Sequence, residues 1–599
     1  MRRLWTYLSR YRARAVAGCL CLLVTATLAM SIPSLLKRAV DSIDPGAAHG
    51  GTHAAGFYAG LVIAIALVQA VTRTFSRFLI FNVGRDVEYD LRNDLFQHLE
   101  HLPPRFYVTR STGDLMSRLV NDIGAVRMML GPGILNLLNT PVYYIYAVSI
   151  MVSIDPWLTV AALAPYPVML LVVKRFSRRL MEGTLRVQEG LAEMSSRIQE
   201  NVSGIQVVKA YAREPAEIAS FAKLNDRFRA VSLELGRVRG MLAPVFRSVS
   251  TLGTLVVLWF GGSRVATGKL TIGDLVAFIG YLHLLAWPTM ALGWMLSILQ
   301  RGRASLRRLE EVLAEQPEIA DPPLAAAGAA PAIAHGEIEL AGVSFAYPGS
   351  GGRVVLRDVD VRIPAGATVA IVGRAGAGKT TLLRLLPRLF DPTSGVVRID
   401  GRDVREYPLE SLRRAIAFVP QDPFLFSTSI RANVAFAEPE LAANGEALGR
   451  NGGGGASERV RRAAQWAAVA EDIEEFPRGY GTMVGERGIT LSGGQKQRVT
   501  LARALLVEDA PILILDDALS SVDTHTEKRI LESLEERRRG RTCVIVAHRT
   551  STVQDADLIL VLDGGRIVER GDHAALLRAG GLYADLFQRQ QLTEELEAI

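Results

Sequence analysis

The chain has 599 residues, 49% of them hydrophobic, with a formal net charge of +7 and three cysteines. That length is too great for one domain and suggests roughly three to four, and a mean hydropathy of +0.20 with a pI near 9.3 is high for a wholly soluble protein. Cys19, Cys21 and Cys543 form no CxxC pair or metal-ligand spacing, which argues against a disulfide framework, and the basic charge flanks apolar runs without any nucleic-acid module, which argues for a membrane protein and against nucleic-acid binding.

The first segment, MRRLWTYLSRYRAR, is basic, with Trp5, Leu8 and Tyr11 on one helical face. Residues 1–13 therefore read as an amphipathic helix lying at the membrane interface. The apolar stretch that follows is longer than the core of a cleaved leader. Six runs approach the ~20 residues a helix needs to cross a bilayer: 14–36, 57–81, 128–152, 157–176, 244–266 and 272–298. The connections 153–156 and 262–274 are short, whereas 82–127 and 177–243 are long, charged and helically periodic. The spans are expected to continue as helices into the cytoplasm and to turn near 121–126 and 211–214. Pro103, Pro104 and Pro215 break helices close to those turns.

Composition changes after residue 315. Residues 14–315 read as a six-span transmembrane domain and the Pro- and Ala-rich 316–335 as a linker. Residues 336–590 show short β-rich runs, Gly-rich turns and helices, the pattern of an α/β domain. Within it, 441–457 reads as a Gly-rich surface insertion, and 591–599 as a tail.

The motifs of this domain carry phosphate chemistry. VAIVG, RAGAGKTT and LLRLLPRLF follow one another as strand, Gly-rich loop and helix. Gly373, Gly376 and Gly378 let backbone N–H groups wrap phosphates, Lys379 reaches the β- and γ-phosphates, Thr380 can hold Mg²⁺, and Thr381 follows it. Tyr347 in FAYPGS can stack on adenine. Gln421 in FVPQDPFLF can contact Mg²⁺ and the attacking water. ILILDD is a buried strand ending in Asp516, an indirect Mg²⁺ partner, and Asp517, placed as the base for water. His548 in IVAHR follows another apolar strand, placed to polarise the γ-phosphate.

Residues 336–590 resemble the nucleotide-binding domain of ATP-binding-cassette (ABC) transporters. LSGGQ at 491–495 matches the signature of that family, and GERGITLSGGQKQRVTLARALL is similar to its exporter branch. TGDLMSRLVND at 112–122, VVKAYARE at 207–214, LTIGDLVAF at 270–278 and QRGRASLRRLEEVL at 300–313 resemble exporter membrane domains. The resemblance implies a multidomain fold: a six-helix all-α transmembrane domain with long cytoplasmic helical extensions, then an α/β P-loop domain. It further implies ATP and Mg²⁺ as cofactors, a second half-transporter subunit as partner, a lipid bilayer, a small hydrophobic or amphipathic substrate, and residence in a bacterial inner membrane. Ser492, Gly493, Gly494 and Gln495 would then touch ATP held by the partner, beside the D-loop Asp523.

In that family the residue at position 517 is usually Glu. Asp is one methylene shorter, so its carboxylate falls short by roughly 1.5 Å, a misplacement that can cost ~100-fold. The resemblance therefore points to the weak-site subunit of a heterodimeric multidrug or lipid exporter. A homodimer with Asp517 as base, an importer of metal chelates on the same fold, and a subunit in which ATP gates a channel are the competing readings.

Overall fold

The structure is a computed structural model describing every residue except Met1, 44–51, 323–332, 439, 442–457, 486–490, 548–552 and 598–599. It divides into two compact units, Met1–Glu100 with Thr112–Glu315, and His101–Ser111 with Gln316–Ile599.

The first unit is helical throughout. Helix α1 (Arg2–Arg10) is followed by α2 (Arg12–Asp41) and α3 (Thr52–His101). Tyr7 donates to Asp94 at 2.6 Å, Arg10 and Tyr11 to Asp90, and Arg14 to Asp86. The three acids recur every fourth residue, so one face of α3 binds the basic N-terminal segment. Trp5 is exposed.

The chain leaves α3 at Leu102 and Pro103, forms α4 (Pro104–Thr109), and returns through α5 (Thr112–Ser117), a π-helical turn Arg118–Asp122 and α6 (Ile123–Met128). The first cytoplasmic turn is therefore at 102–111, not at 121–126 as expected. The reason is local: Pro103 lacks an N–H donor and Pro104 starts the next helix at its N1 position. Residues 121–126 are instead bolted to the last membrane helix. Asp122 is buried and accepts from Ser305 Oγ at 2.8 Å and Arg308 Nε at 2.9 Å.

A second π-turn (Met129–Gly133) leads into α7 (Ile134–Ile154), then α8 (Pro156–Leu163), α9 (Pro165–Ser203) and α10 (Ile205–Ala210). The chain reverses after α10, where Ala212 has φ +47°, and α11 (Glu214–Val256) begins, agreeing with the turn expected at 211–214. A third π-turn (Val257–Gly261) precedes α12 (Gly262–Ala266) and α13 (Ile272–Ala314). The loop expected at 262–274 is thus shorter, because helix persists to Ala266. α13 starts with a capping box in which the Thr271 hydroxyl and the Asp274 carboxylate each take the other's backbone N–H. Among the described residues four helices are long and apolar enough to cross a membrane: Arg12–Asp41, His53–His101, Thr112–Ile154 and Ile272–Ala314. A shorter apolar helix covers Thr251–Ala266, and the segment 157–176 forms α8 and the start of α9. α2, α7 and α13 share a core of Ala26, Met30, Tyr143, Ala147, Phe278 and Tyr281.

The second unit holds two sheets. One has the order β2 (Val354–Ile363), β1 (Ile338–Ala346), β4 (Ser394–Ile399), β5 (Arg402–Asp403), all antiparallel. The other has the order β10 (Arg566–Gly571), β9 (Leu558–Asp563), β3 (Thr368–Gly373), β8 (Thr542–Val546), β7 (Ile512–Asp516), β6 (Ile416–Val419). Strands β9, β3, β8, β7 and β6 are parallel, and β10 adds an antiparallel edge. β7 and β8 are buried along their whole length, which explains their unbroken apolar sequences. Cys543 lies in β8, its thiol pushed up to about 12 by burial, so it is chemically inert. The Gly-rich 442–457 lies outside the described residues, and a final helix runs over Leu582–Glu597.

Candidate nucleotide-binding site

Parallel sheets present ligands at the carboxyl ends of their strands. Here β3 ends in the phosphate loop, β7 in Asp516, and β6 two residues before Gln421. Gly373 has φ +151°, and a Cβ there would overlap the Leu562 carbonyl. Only glycine fits at this point. Gly376 and Gly378 also have positive φ.

Lys379 opens helix α14 (Lys379–Leu385) and is buried. Its Nζ donates to the Gly373 carbonyl at 2.8 Å and the Arg374 carbonyl at 3.2 Å. Burial lowers its pKa, while the charges of Asp517 and Asp516 push the other way. The ammonium is thus held beneath the loop, facing two carboxylates.

Thr380 Oγ1 donates to Asp516 Oδ1 at 3.0 Å and lies 3.4 Å from Gln421 Oε1. Asp516 is fully buried, and that burial raises its pKa against the opposing pull of Thr380. Three oxygen donors of three different residues therefore meet at one point. Among the described residues no cluster of three His, Cys, Asp or Glu exists to cage a metal alone. A hydroxyl, an amide oxygen and one carboxylate instead suit Mg²⁺, which keeps most ligands for water and phosphate.

Asp517 has φ +50°, a left-handed conformation that Asp adopts more readily than most residues. Its N–H donates to the Val546 carbonyl at 2.9 Å. It lines a cleft with Leu515, Ala518, Ser520 and the buried Glu527. The sequence reading missed Gln497. This side chain is 1% exposed; its Nε2 donates to the Asp517 carbonyl and to Ser520 Oγ, both at 3.0 Å, and its Oε1 accepts from Ser521 N at 2.9 Å. No sequence signal marked it, since it stands between the charged Lys496 and Arg498. Gln497→Ala should remove the partner of the Asp517 carbonyl and of the part-buried Ser521 N–H, destabilising this domain by about 1–3 kcal/mol. Thermal unfolding of the purified protein measures that loss.

The signature begins the helix Gly493–Leu505, with Ser492 as N-cap and a capping box to Gln495. Gln495 Nε2 donates to Asp472 at 3.0 Å. A Cβ on Gly494 would lie 2.7 Å from the Ser521 carbonyl, so the signature packs on the loop after Asp517. Asp523 caps the helix Thr524–Arg538, accepting from Thr526 N at 2.9 Å. Among the described residues no hydrogen bond joins Ser492, Gly493, Gly494 or Gln495 to Lys379, Thr380 or Gln421. Tyr347 is half-buried, its hydroxyl 3.0 Å from Thr381 Oγ1 and its ring edge-on to Phe345 and Phe390. His548 lies outside the described residues.

Comparison with known proteins places both units. Residues 15–289 match a family described as ABC transporter transmembrane region, and residues 356–520 one described as ABC transporter. The chain is 34% identical, over 99% of its length and 98% of the relative's, to the probable multidrug resistance ABC transporter ATP-binding/permease protein YheI of Bacillus subtilis. It is 34% identical, over 98% and 97% of the two lengths, to an ATP-dependent lipid A-core flippase of Chromohalobacter salexigens. A solved bacterial Atm1-family ABC exporter with ATP bound superposes with a TM-score of 0.76 at 30% identity, covering 97% of this chain and 99% of that one. The phosphate loop, the strand-end carboxylates and the signature thus sit in a chain that belongs to the ABC transporter family, with a transmembrane domain and an ATP-binding domain fused in one polypeptide.

Proposed function

We propose that the chain is one half of a dimeric exporter that uses ATP to move hydrophobic or amphipathic, drug- or lipid-like compounds across a bacterial inner membrane, with its nucleotide-binding domain in the cytoplasm. The observation that carries this reading is the meeting of Lys379, Thr380, Gln421 and Asp516 beside Asp517. Full-length similarity to proteins named as multidrug transporters and lipid flippases supports the direction and the substrate class.

Each residue has a role in this reading. Gly373, Gly376, Gly378 and Thr381 shape the phosphate cradle, Lys379 neutralises phosphate charge, and Tyr347 supports the adenine. Thr380, Gln421 and Asp516 would hold Mg²⁺, which when bound neutralises and orients the phosphates. Asp517 accepts a proton from water, and His548 polarises the γ-phosphate. Ser492, Gly493, Gly494, Gln495 and Asp523 complete the site of the partner subunit. That partner is a different chain, because an intact signature joined to a shortened base suits a dimer with one strong and one weak site.

Two measurements test this. ATP hydrolysis in lipid should be low for the chain alone and high for the chain with its co-purifying partner; equal high rates would support a homodimer. In the pair, Ser492→Ala should damage hydrolysis more than Asp517→Asn, since the signature serves the strong site and Asp517 the weak one. Equal damage from both would sink the asymmetric arrangement.

A further inference from the structure

The membrane unit carries two arginines for which the described residues supply no counter-charge. Arg73 and Arg77 lie one turn apart on α3, inside the apolar run 57–81, and both are exposed. Among the described residues neither has an ion pair. α3 has no Asp or Glu before them. The next acids, Asp86 and Glu88, lie roughly 14 Å and 16 Å beyond Arg77 at the helical rise. Those acids are already engaged, Asp86 by Arg14 and Glu88 by Arg85, Arg92 and Arg127. The neighbouring helices do not help: α2 between Arg14 and Lys37, α7 throughout, and α13 between Asp274 and Glu310 contain no carboxylate.

The pair does not sit on the far side of α3. At ~100° per residue, Arg73 falls close to the line of Ile80, Gly84 and Leu91, with Arg77 at its border. That line faces the bundle. Ile80 packs with Leu22 and Leu135, and a Cβ on Gly84 would touch the backbone of Arg127 and Gly131 at 3.4 Å. Between these positions Ser76 donates to the Gly18 carbonyl of α2. Tyr143 of α7 lies within electrostatic reach of both guanidiniums. Arg73 thus continues the packed face of α3 outward to the level of Tyr143, where it is exposed.

We propose that Arg73 and Arg77 form a subsite of the transport pathway for the headgroup of an anionic amphiphile, a phosphate or carboxylate carried on an apolar tail. The inference rests on the exporter reading and narrows its substrate class. Unpaired charge within a membrane span is costly and marks function. Guanidinium forks bind phosphate and carboxylate oxygens in bidentate fashion, and two of them one turn apart, about 6 Å along the axis, can share one headgroup. The apolar surroundings take the tail.

The test uses the full-length transporter with its partner in phosphatidylcholine nanodiscs, without nucleotide, and measures binding of dodecyl phosphate and dodecyl maltoside by calorimetry. Wild type should bind dodecyl phosphate about 10-fold or more tightly than Arg73→Gln/Arg77→Gln, with Arg73→Lys/Arg77→Lys in between. Dodecyl maltoside should bind all three equally, which also reports an intact fold. Inorganic phosphate at the same concentration should not compete; full competition would overturn the amphiphile and leave a site for free phosphate. Equal dodecyl phosphate binding by wild type and the Gln pair, with ATP-driven transport intact, would remove the subsite and leave the exporter reading standing. Selective binding with no ATP-driven transport of any amphiphile would remove the exporter reading instead. If the Gln pair does not fold, the Lys pair decides: affinity equal to wild type overturns the requirement for paired guanidinium forks.

Discussion

Lys379→Ala is expected to abolish ATP binding at this chain's own site. The buried ammonium answers the charge of both Asp516 and Asp517 at the phosphate loop. Alanine removes it and leaves the Gly373 and Arg374 carbonyls without their donor. Triphosphate would then meet two carboxylates without the ammonium that offsets their charge. Charge-assisted hydrogen bonds are worth roughly 1.5–3 kcal/mol each, so the loss should reach ~100-fold or more in affinity. Photo-crosslinking of azido-ATP to this chain reads the effect directly. Labelling of this site that survives in full would show the phosphate-loop assignment to be wrong.

Asp517→Glu is expected to raise hydrolysis at the same site. Lys379, Thr380, Gln421 and Asp516 are already gathered, so the reach of the carboxylate is the defect this reading identifies. One added methylene restores it, and correct placement can be worth ~100-fold. Backbone geometry works in the other direction. Position 517 has φ +50°, where Asp is at ease and Glu less so. The net gain should therefore fall between about 10- and 100-fold. Single-turnover assays with the partner's own catalytic residue disabled isolate this site. An unchanged rate would place the weakness elsewhere, in the signature that the partner contributes.

The nucleotide motifs were legible in the sequence because backbone geometry leaves them little freedom. Gly373 cannot be another residue beneath the Leu562 carbonyl, and Asp516 must follow a strand buried on both faces. The long cytoplasmic helices were legible from their period. The first hairpin turn was misplaced because helical periodicity continues through 112–128, while the break depends on Pro103 and Pro104, whose effect is local. Gln497 was not legible because polarity alone does not reveal a side chain that turns inward to hold the Asp517 loop. Tyr347 was read as an adenine platform, yet its contacts to Phe345, Phe390 and Thr381 are tertiary and carry no sequence signal. Arg73 and Arg77 carried no motif of their own, since the absence of acids across α2, α7 and α13 matters only once those helices are packed together.

The central claim is that ATP turnover by this chain and its partner drives compounds out of the cell. Inside-out vesicles containing the pair test it most directly, because their nucleotide-binding domains face the medium. On addition of ATP and Mg²⁺, a fluorescent amphipathic dye should accumulate in the vesicle lumen. It should not accumulate when the partner carries the substitution matching Lys379→Ala and this chain carries Lys379→Ala itself. Accumulation only in right-side-out vesicles loaded with ATP, or transport that proceeds unchanged in the double variant, would contradict an ATP-driven exporter.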